Sequence, residues 1–438
     1  MKKVALIVLL VVVVGAGIAF LIFSGRGTEY DPETLLVGRW ELADSSHRDL
    51  AQDVIVFREG GTGFVEAYND GTIYRETFTW NLSEYVLTRI FEETEETIEA
   101  TIEVTRETLR IEEYVEGVGE VWTEYSRVES TVVVTSFIAY DAVRAIAGQN
   151  INLINLLSPG VEMHGYDPTP ADLIRIQEAD LFIYIGGQTE VWTERVLGTL
   201  EVYDTRVIRL MDAVDLIEVE EVEGAEPHDH GHEHSHSHSH DHGEDSHGHD
   251  SDDHGSIYDH CLIGYDEHIW TSPANVIRIV EAVAIELILL DPHNAEYYRE
   301  NADRYIEEIR EVQSKVREIV DNRERDLLVF GDRMSMQYFL NEFGLRAAAA
   351  FAGCGTETEP SARTIANLVD LIGDENVPVI LYLELNQGRI AGTIASDTGI
   401  EAIQIQSFHN ISRTDYENGE TFVSLMTRNL DVLRKALQ

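Results

Sequence analysis

Lysine is nearly missing from this chain. Only Lys2, Lys3, Lys315 and Lys435 occur among 438 residues. Lys+Arg total 32 against 80 Asp+Glu, a formal net charge of −48. A surface that acidic repels phosphate backbones, which excludes nucleic acid as a partner class. The same field attracts metal cations. An acidic, lysine-poor composition also fits a salt-rich habitat. Cysteine is scarce too, with only Cys261 and Cys354. Two cysteines exclude a disulfide-dense scaffold. They leave open a single disulfide, buried thiols or a metal ligand. Outside the His-rich tract no HExxH stretch is present, and the one match within it, His232–His236, lies in polar low-complexity sequence rather than on a helical pattern, so the usual helical zinc-hydrolase motif is excluded.

Histidine is plentiful and concentrated. Of 17 His, a dozen lie in one stretch that begins "HDHGHEHSHSHSHDHGEDSHGHDSDDH" at His228. Residues 226–257 are too polar to bury and are expected to form a disordered loop. Neutral imidazole ligates zinc, copper and nickel. The loop therefore reads as a low-affinity metal collector.

The N-terminus runs MKK and then "VALIVLLVVVVGAGIAFLIF", from Val4 to Phe23. About 20 apolar residues span a bilayer as a helix. Lys2 and Lys3 place the start inside and the body outside. Residues 1–26 are thus expected to be a signal anchor, or else a cleaved signal peptide. Either case puts the body outside the cytoplasm, anchored to the outer face of the membrane or released.

Two textures follow. From 35 to 128, alternating apolar and polar residues broken by Gly and Asn-Asp predict an antiparallel β-domain. "GRW" at Gly38–Trp40 resembles the lipocalin-like (calycin) small barrels. With only His47 in the segment, no metal is assigned to it. From 131 onward strands alternate with helices, an α/β pattern. One lobe is expected over 131–290, interrupted by the His-rich loop, and a second over 326–438. Between them, residues 291–325 read as one long linking helix. Tyr298, Ala302, Tyr305, Ile309, Val312 and Val316 recur on a single helical face.

Two extended stretches carry a family resemblance. They are "SPGVEMHGYDPTPADLIRIQEADLFIYIGGQTEVW" (158–192) and "YDEHIWTSPANVIRIVEAVAIELILLDPHNAEYYRENADRYI" (265–306). They resemble hallmark stretches of the zinc/manganese substrate-binding proteins of ABC transporters, in the same order and with a His-rich loop between them. The resemblance covers 131–438 and implies two α/β lobes bridged by a rigid helix. It implies a non-enzymatic, extracytoplasmic, monomeric protein that captures a divalent metal and delivers it to an ABC permease and ATPase. An extracellular zinc buffer or an adhesin-type metal-binding protein without a transporter is the alternative.

The candidate ligands follow from residues and resemblance together. His164 sits in a loop after a strand and before a Pro-started helix, where α/β sheets gather ligands. His268 is flanked by carboxylates of the kind that orient a ligating ring. The resemblance places a third ligand just after the second lobe's first strand. There "LLVFGDRMSMQYF" offers Arg333, which cannot ligate, or Asp332 one residue earlier. After the lobe's last strand, "AIQIQSFHN" offers His409 or Asn410, and imidazole is the better zinc ligand. Glu384, at another strand end, is the first choice for the fourth ligand, ahead of Glu357, Asp332 and Cys354. Three imidazoles with one carboxylate favour Zn2+ over Mn2+.

Overall fold

The computed structural model describes residues 9–14, 17–22, 32–48, 51–58, 60–69, 72–83, 85–105, 107–200, 205–219, 264–351 and 360–438. The His-rich loop, Cys261, Cys354 and Glu357 fall outside the described residues. The chain divides into two units, Met1–Arg127 and Val128–Gln438.

The first unit opens with β1 (Leu9–Val14) and β2 (Gly17–Ile22), which pair antiparallel. This corrects the expected membrane-spanning helix over the same run. Val and Ile are β-branched and favour strands, and an apolar run alone does not discriminate helix from strand. Only a bilayer, which demands internally satisfied backbone, would force the helix. Among the described residues no helix is long and apolar enough to cross a membrane.

A short helix, α1 (Pro32–Leu36), leads into eight strands. These are β3 (Gly38–Ser45), β4 (Val54–Arg58), β5 (Thr62–Asn69), β6 (Thr72–Ser83), β7 (Val86–Phe91), β8 (Thr97–Val104), β9 (Thr108–Val115) and β10 (Gly119–Val128). Each pairs antiparallel with the next, and β10 closes on β3 to form a barrel. Alternation along the strands sends Trp40, Ile55, Phe57, Phe78, Trp80 and Tyr125 into one packed apolar cluster. Phe57 meets Phe78 and Trp80 edge-on at 5.5 and 5.6 Å. Arg127 lies over the Trp40 ring at 4.1 Å and donates to the carbonyls of Val37 and Leu35. His47 is exposed, outside this core.

The second unit holds two parallel sheets. The first lobe contains β11 (Thr131–Val134), α2 (Phe137–Ala147), β12 (Asn152–Asn155), α3 (Pro170–Gln177), β13 (Leu181–Tyr184), α4 (Trp192–Leu200), β14 (Arg206–Arg209) and α5 (Pro273–Leu290). Its strands pair in the order β12-β11-β13-β14. Next comes α6 (Ala295–Asp321). The second lobe contains β15 (Leu327–Arg333), α7 (Gln337–Phe343), β16 (Arg346–Phe351), α8 (Ala362–Asp374), β17 (Val379–Leu383), α9 (Arg389–Thr398), β18 (Glu401–Ile405), α10 (Arg413–Glu417) and α11 (Phe422–Leu437). Its sheet runs β16-β15-β17-β18.

The six apolar positions read as one face of α6 are all buried. That face packs on α2 and α5 of the first lobe and on α11 of the second. A single apolar core therefore runs through both lobes. Each fully buried Ile or Val on it contributes about 1.5–3 kcal/mol, which makes α6 a strut rather than a tether. At its first-lobe end the carboxylate of Asp141 is fully buried. It accepts from Tyr305 Oη on α6, from Arg144, and from the backbone N–H of Phe422 at the start of α11 (2.8 Å). Burial pushes the Asp141 carboxyl above its usual range, against the pull of these donors.

Candidate metal centre

Local sequence chemistry sets each candidate ligand at an element end. His164 lies in the short 3-10 turn Met163–Gly165. Directly after it, Thr169 and Asp172 form a reciprocal capping box and Pro170 starts α3, so the loop stops at a defined point. His268 precedes another 3-10 turn, Ile269–Thr271, after which Ser272 caps α5 and Pro273 begins it. His409 follows β18. The residue before it, Phe408, has φ +64°, a left-handed conformation that a bulky side chain rarely adopts. The Phe408 ring is buried against Phe422, which holds the strained residue in place.

The ring orientations are fixed by specific bonds. Asp266 Oδ1 accepts from both the backbone N–H (2.7 Å) and Nδ1 (2.6 Å) of His268. That tautomer leaves the lone pair on Nε2. His268 in turn holds the buried Asp266 carboxyl below its ordinary range, although burial alone would raise it. His409 Nδ1 lies 2.8 Å from Ser407 Oγ. Ser407 Oγ lies 2.9 Å from Glu384 Oε1 and donates to it. A hydroxyl has one proton, so Ser407 accepts from His409 Nδ1–H and the lone pair of His409 again falls on Nε2.

The two rings meet across the lobes. The His268 and His409 ring centroids are 4.6 Å apart. Trp270 packs edge-on against both, at 5.4 and 5.3 Å, and donates Nε1–H to Ser407 O at 2.9 Å. The strand of chain ahead of His164 is drawn to the same place. Asn410 Nδ2 donates to Ser158 O (2.9 Å) and Val161 O (2.8 Å), and Gly160 N–H donates to Ile411 O (2.8 Å). Three loops from two lobes are thus stitched around one point.

Glu384 and Asp332 have other demands on them. Glu384 is buried, and its oxygens accept from Ser407 N–H (2.6 Å), Ser407 Oγ and His409 N–H (3.0 Å). Burial pushes its carboxyl up to about 7 despite those donors. Asp332 Oδ2 accepts from Leu383 N–H (3.1 Å) and Asn386 Nδ2 (2.7 Å), and Oδ1 from Arg333 N–H (2.9 Å). It fastens the end of β15 to the end of β17, and burial raises it as well. Arg333 is half-buried at the β15 end. Among the described residues no three His, Cys, Asp or Glu side chains converge as a metal cluster. His268 and His409 are brought together, whereas Glu384 meets them through the 407–409 loop.

Sequence reasoning passed over Ser407 and the lobe-crossing bonds of Trp270. Ser407 had a signal, a hydroxyl two residues before a candidate ligand. Trp270 had none, because its partner is a carbonyl 137 positions away.

A parallel-sheet lobe on each side of a strut, with imidazoles meeting across the gap, is the build of a two-lobed binding protein. The family described as "ZnuA: Zinc-uptake complex component A periplasmic" matches residues 132–436, and the chain belongs to that family. Among its relatives is the high-affinity zinc uptake system protein ZnuA of Bacillus subtilis. It is 28% identical over 306 residues, covering 70% of this chain and 87% of the relative. The zinc-binding lipoprotein AdcA of Streptococcus pneumoniae is 26% identical over 305 residues, covering 69% of this chain and 55% of AdcA. The Zn(II)-bound ZnuA-like domain of that AdcA has a similar fold, with TM-score 0.55 and 22% identity over 71% of this chain and 99% of the domain.

Proposed function

We propose that this chain captures a zinc ion between its two lobes, outside the cytoplasm, and delivers it to an ABC permease and ATPase as a monomer. The observation that carries this reading is the 4.6 Å approach of His268 and His409 from opposite lobes, each ring set with its lone pair on Nε2. Zinc–imidazole bonds are about 2.0–2.1 Å, so one ion can take a nitrogen from each ring. His164, whose loop is bonded to the His409 loop, is the third ligand. Three neutral imidazoles suit zinc better than manganese, which takes more oxygen. Membership of a zinc-uptake family supports the same reading.

Glu384 is the carboxylate that the sequence offers for the fourth place. Its three accepted bonds favour a brace that holds Ser407 and His409 in position. Residues 226–257 serve as the collector, raising local zinc concentration beside the cleft. In a bilayer, which demands internally satisfied backbone, the apolar run at the N-terminus takes the helical form instead of the strand pair and holds the protein at the outer membrane face. The closed, apolar-filled barrel acts as a calycin-like accessory module.

Zinc titration against a competing chelator tests this. The full chain is expected to hold one tight zinc that survives deletion of 228–254. His268→Ala or His409→Ala is expected to weaken it at least a hundredfold. Loss of tight binding on deleting the His-rich loop, or its persistence in the His268→Ala/His409→Ala double variant, would overturn the reading.

A further inference from the structure

A cavity of about 710 Å³ opens on the second-lobe side of His409. One ion with a water or two needs far less, since a water's share of liquid volume is about 30 Å³. The space is of a size that holds a small organic molecule. It is bounded by the ends of β15 and β17 and by the first turn of α9.

The polar groups facing it form two sets. The acids Asp332 and Glu384 have their oxygens bonded to neighbouring backbone amides and side chains, as described above, and Glu162 is exposed at the rim. The basic groups are differently placed. Arg333 and Arg389 both line the cavity, and among the described residues neither forms an ion pair. Ser335 also lines it. The residue is 1% exposed, and its hydroxyl has no hydrogen-bond partner among the described residues. A buried hydroxyl left unbonded costs about 1–3 kcal/mol, so this one waits for a partner.

The helix end adds to the set. α9 begins after Gly388, whose φ of +62° and lack of a side chain leave no side-chain cap on the first turn. Uncapped first-turn amides and the helix dipole favour an anion. The close seat of this turn depends on Gly331, where an added Cβ would lie 2.5 Å from Ala391 Cα.

We propose that this cavity binds a small di- or tricarboxylate anion, held by Arg333, Arg389, Ser335 and the first turn of α9. A planar guanidinium matches a carboxylate with two parallel bonds, which a point charge does not. One carboxylate of the anion reaches toward His409 and occupies the zinc coordination position that three histidines leave open. Arg333 thereby acquires a role at a place where the family resemblance led one to expect a ligand. The chain holds zinc through a borrowed oxygen instead of its own. The coupling to zinc rests on the function proposed above, whereas anion binding to the zinc-free chain does not.

Calorimetry on the full chain tests it, with citrate as the probe and inorganic phosphate and acetate beside it. Zinc-free protein is expected to bind one citrate per chain, in preference to both other anions. Zinc-loaded protein is expected to bind citrate at least tenfold more tightly. By linkage, citrate must raise zinc affinity by the same factor, once zinc held by free citrate is accounted for. The Arg333→Ala/Arg389→Ala double variant is expected to lose at least tenfold in citrate affinity. The Arg333→Lys/Arg389→Lys variant keeps the charge without the fork and should recover only part of it. Thermal melts establish that the variants fold. No saturable citrate binding, binding indifferent to both arginines, or preference for phosphate would each overturn the proposal. Arginine-dependent citrate binding in a chain that retains no zinc would uphold the anion site and sink the zinc reading alone.

Discussion

Ser407 stands between a carboxylate and an imidazole, and its single proton decides what the imidazole can do. Donated to Glu384 Oε1, that proton leaves the hydroxyl oxygen to accept from His409 Nδ1, which leaves the lone pair on Nε2, the atom proposed to ligate zinc. Partners that orient a ligating His commonly change metal affinity by about 10–100-fold when removed. Ser407→Ala is therefore expected to weaken zinc binding within that range. The bond from the Ser407 backbone N–H to Glu384 remains, so the loop keeps its path. Competition titration measures this, and an affinity equal to wild type would mean that Ser407 does not set the tautomer. At this scale the sequence was partly readable. The acids flanking His268 predicted a carboxylate on its ring, and Asp266 is the one that bonds it. Asn410, weighed against His409, has its amide bonded to Ser158 O and Val161 O. That role depends on a loop some 250 residues away, which no local pattern encodes.

The elements divide into those that periodicity fixes and those it does not. The apolar face of α6 was written plainly in steps of three and four residues, because a long helix buried along one stripe has little alternative. The N-terminal run was not, because composition supplies apolar area in either conformation. Where α6 meets α2 and α11, Asp141 joins three elements through one carboxylate. Asp141→Ala would leave the Phe422 N–H and the Tyr305 hydroxyl buried without an acceptor. The expected loss is about 3 kcal/mol, read from the urea midpoint. Burial already disfavours the ionised Asp141. Asp141→Asn, neutral and of the same shape, is therefore expected to cost less than the alanine. A midpoint unchanged in Asp141→Ala would show that the junction does not depend on this group.

Over the whole molecule, a formal charge of −48 sets the terms. Like charges crowd together on folding, and the compact state bears that repulsion. Screening shortens from about 10 Å at 0.1 M salt to about 3 Å at 1 M. The melting temperature of the full chain is expected to rise over that interval of sodium chloride. A fall would mean that ion pairs such as Arg428 with Asp415 and Glu420 outweigh the general repulsion. The division into a β-unit and a two-lobed α/β unit was legible because the hydrophobic period changes near 130. Closure of eight strands into a barrel was signalled only by the small-barrel resemblance of Gly38–Trp40 and not by the pattern itself, since alternation reports which face is apolar and says nothing of which edges join.

The indole of Trp270 reaches from one lobe to a carbonyl of the other and touches both facing imidazoles. The protein thus carries its own optical gauge. A change in the spacing of the halves, or an ion arriving between the rings, alters the surroundings of an intrinsic chromophore. The proposed loading and release would then be followed by emission, with no dye attached.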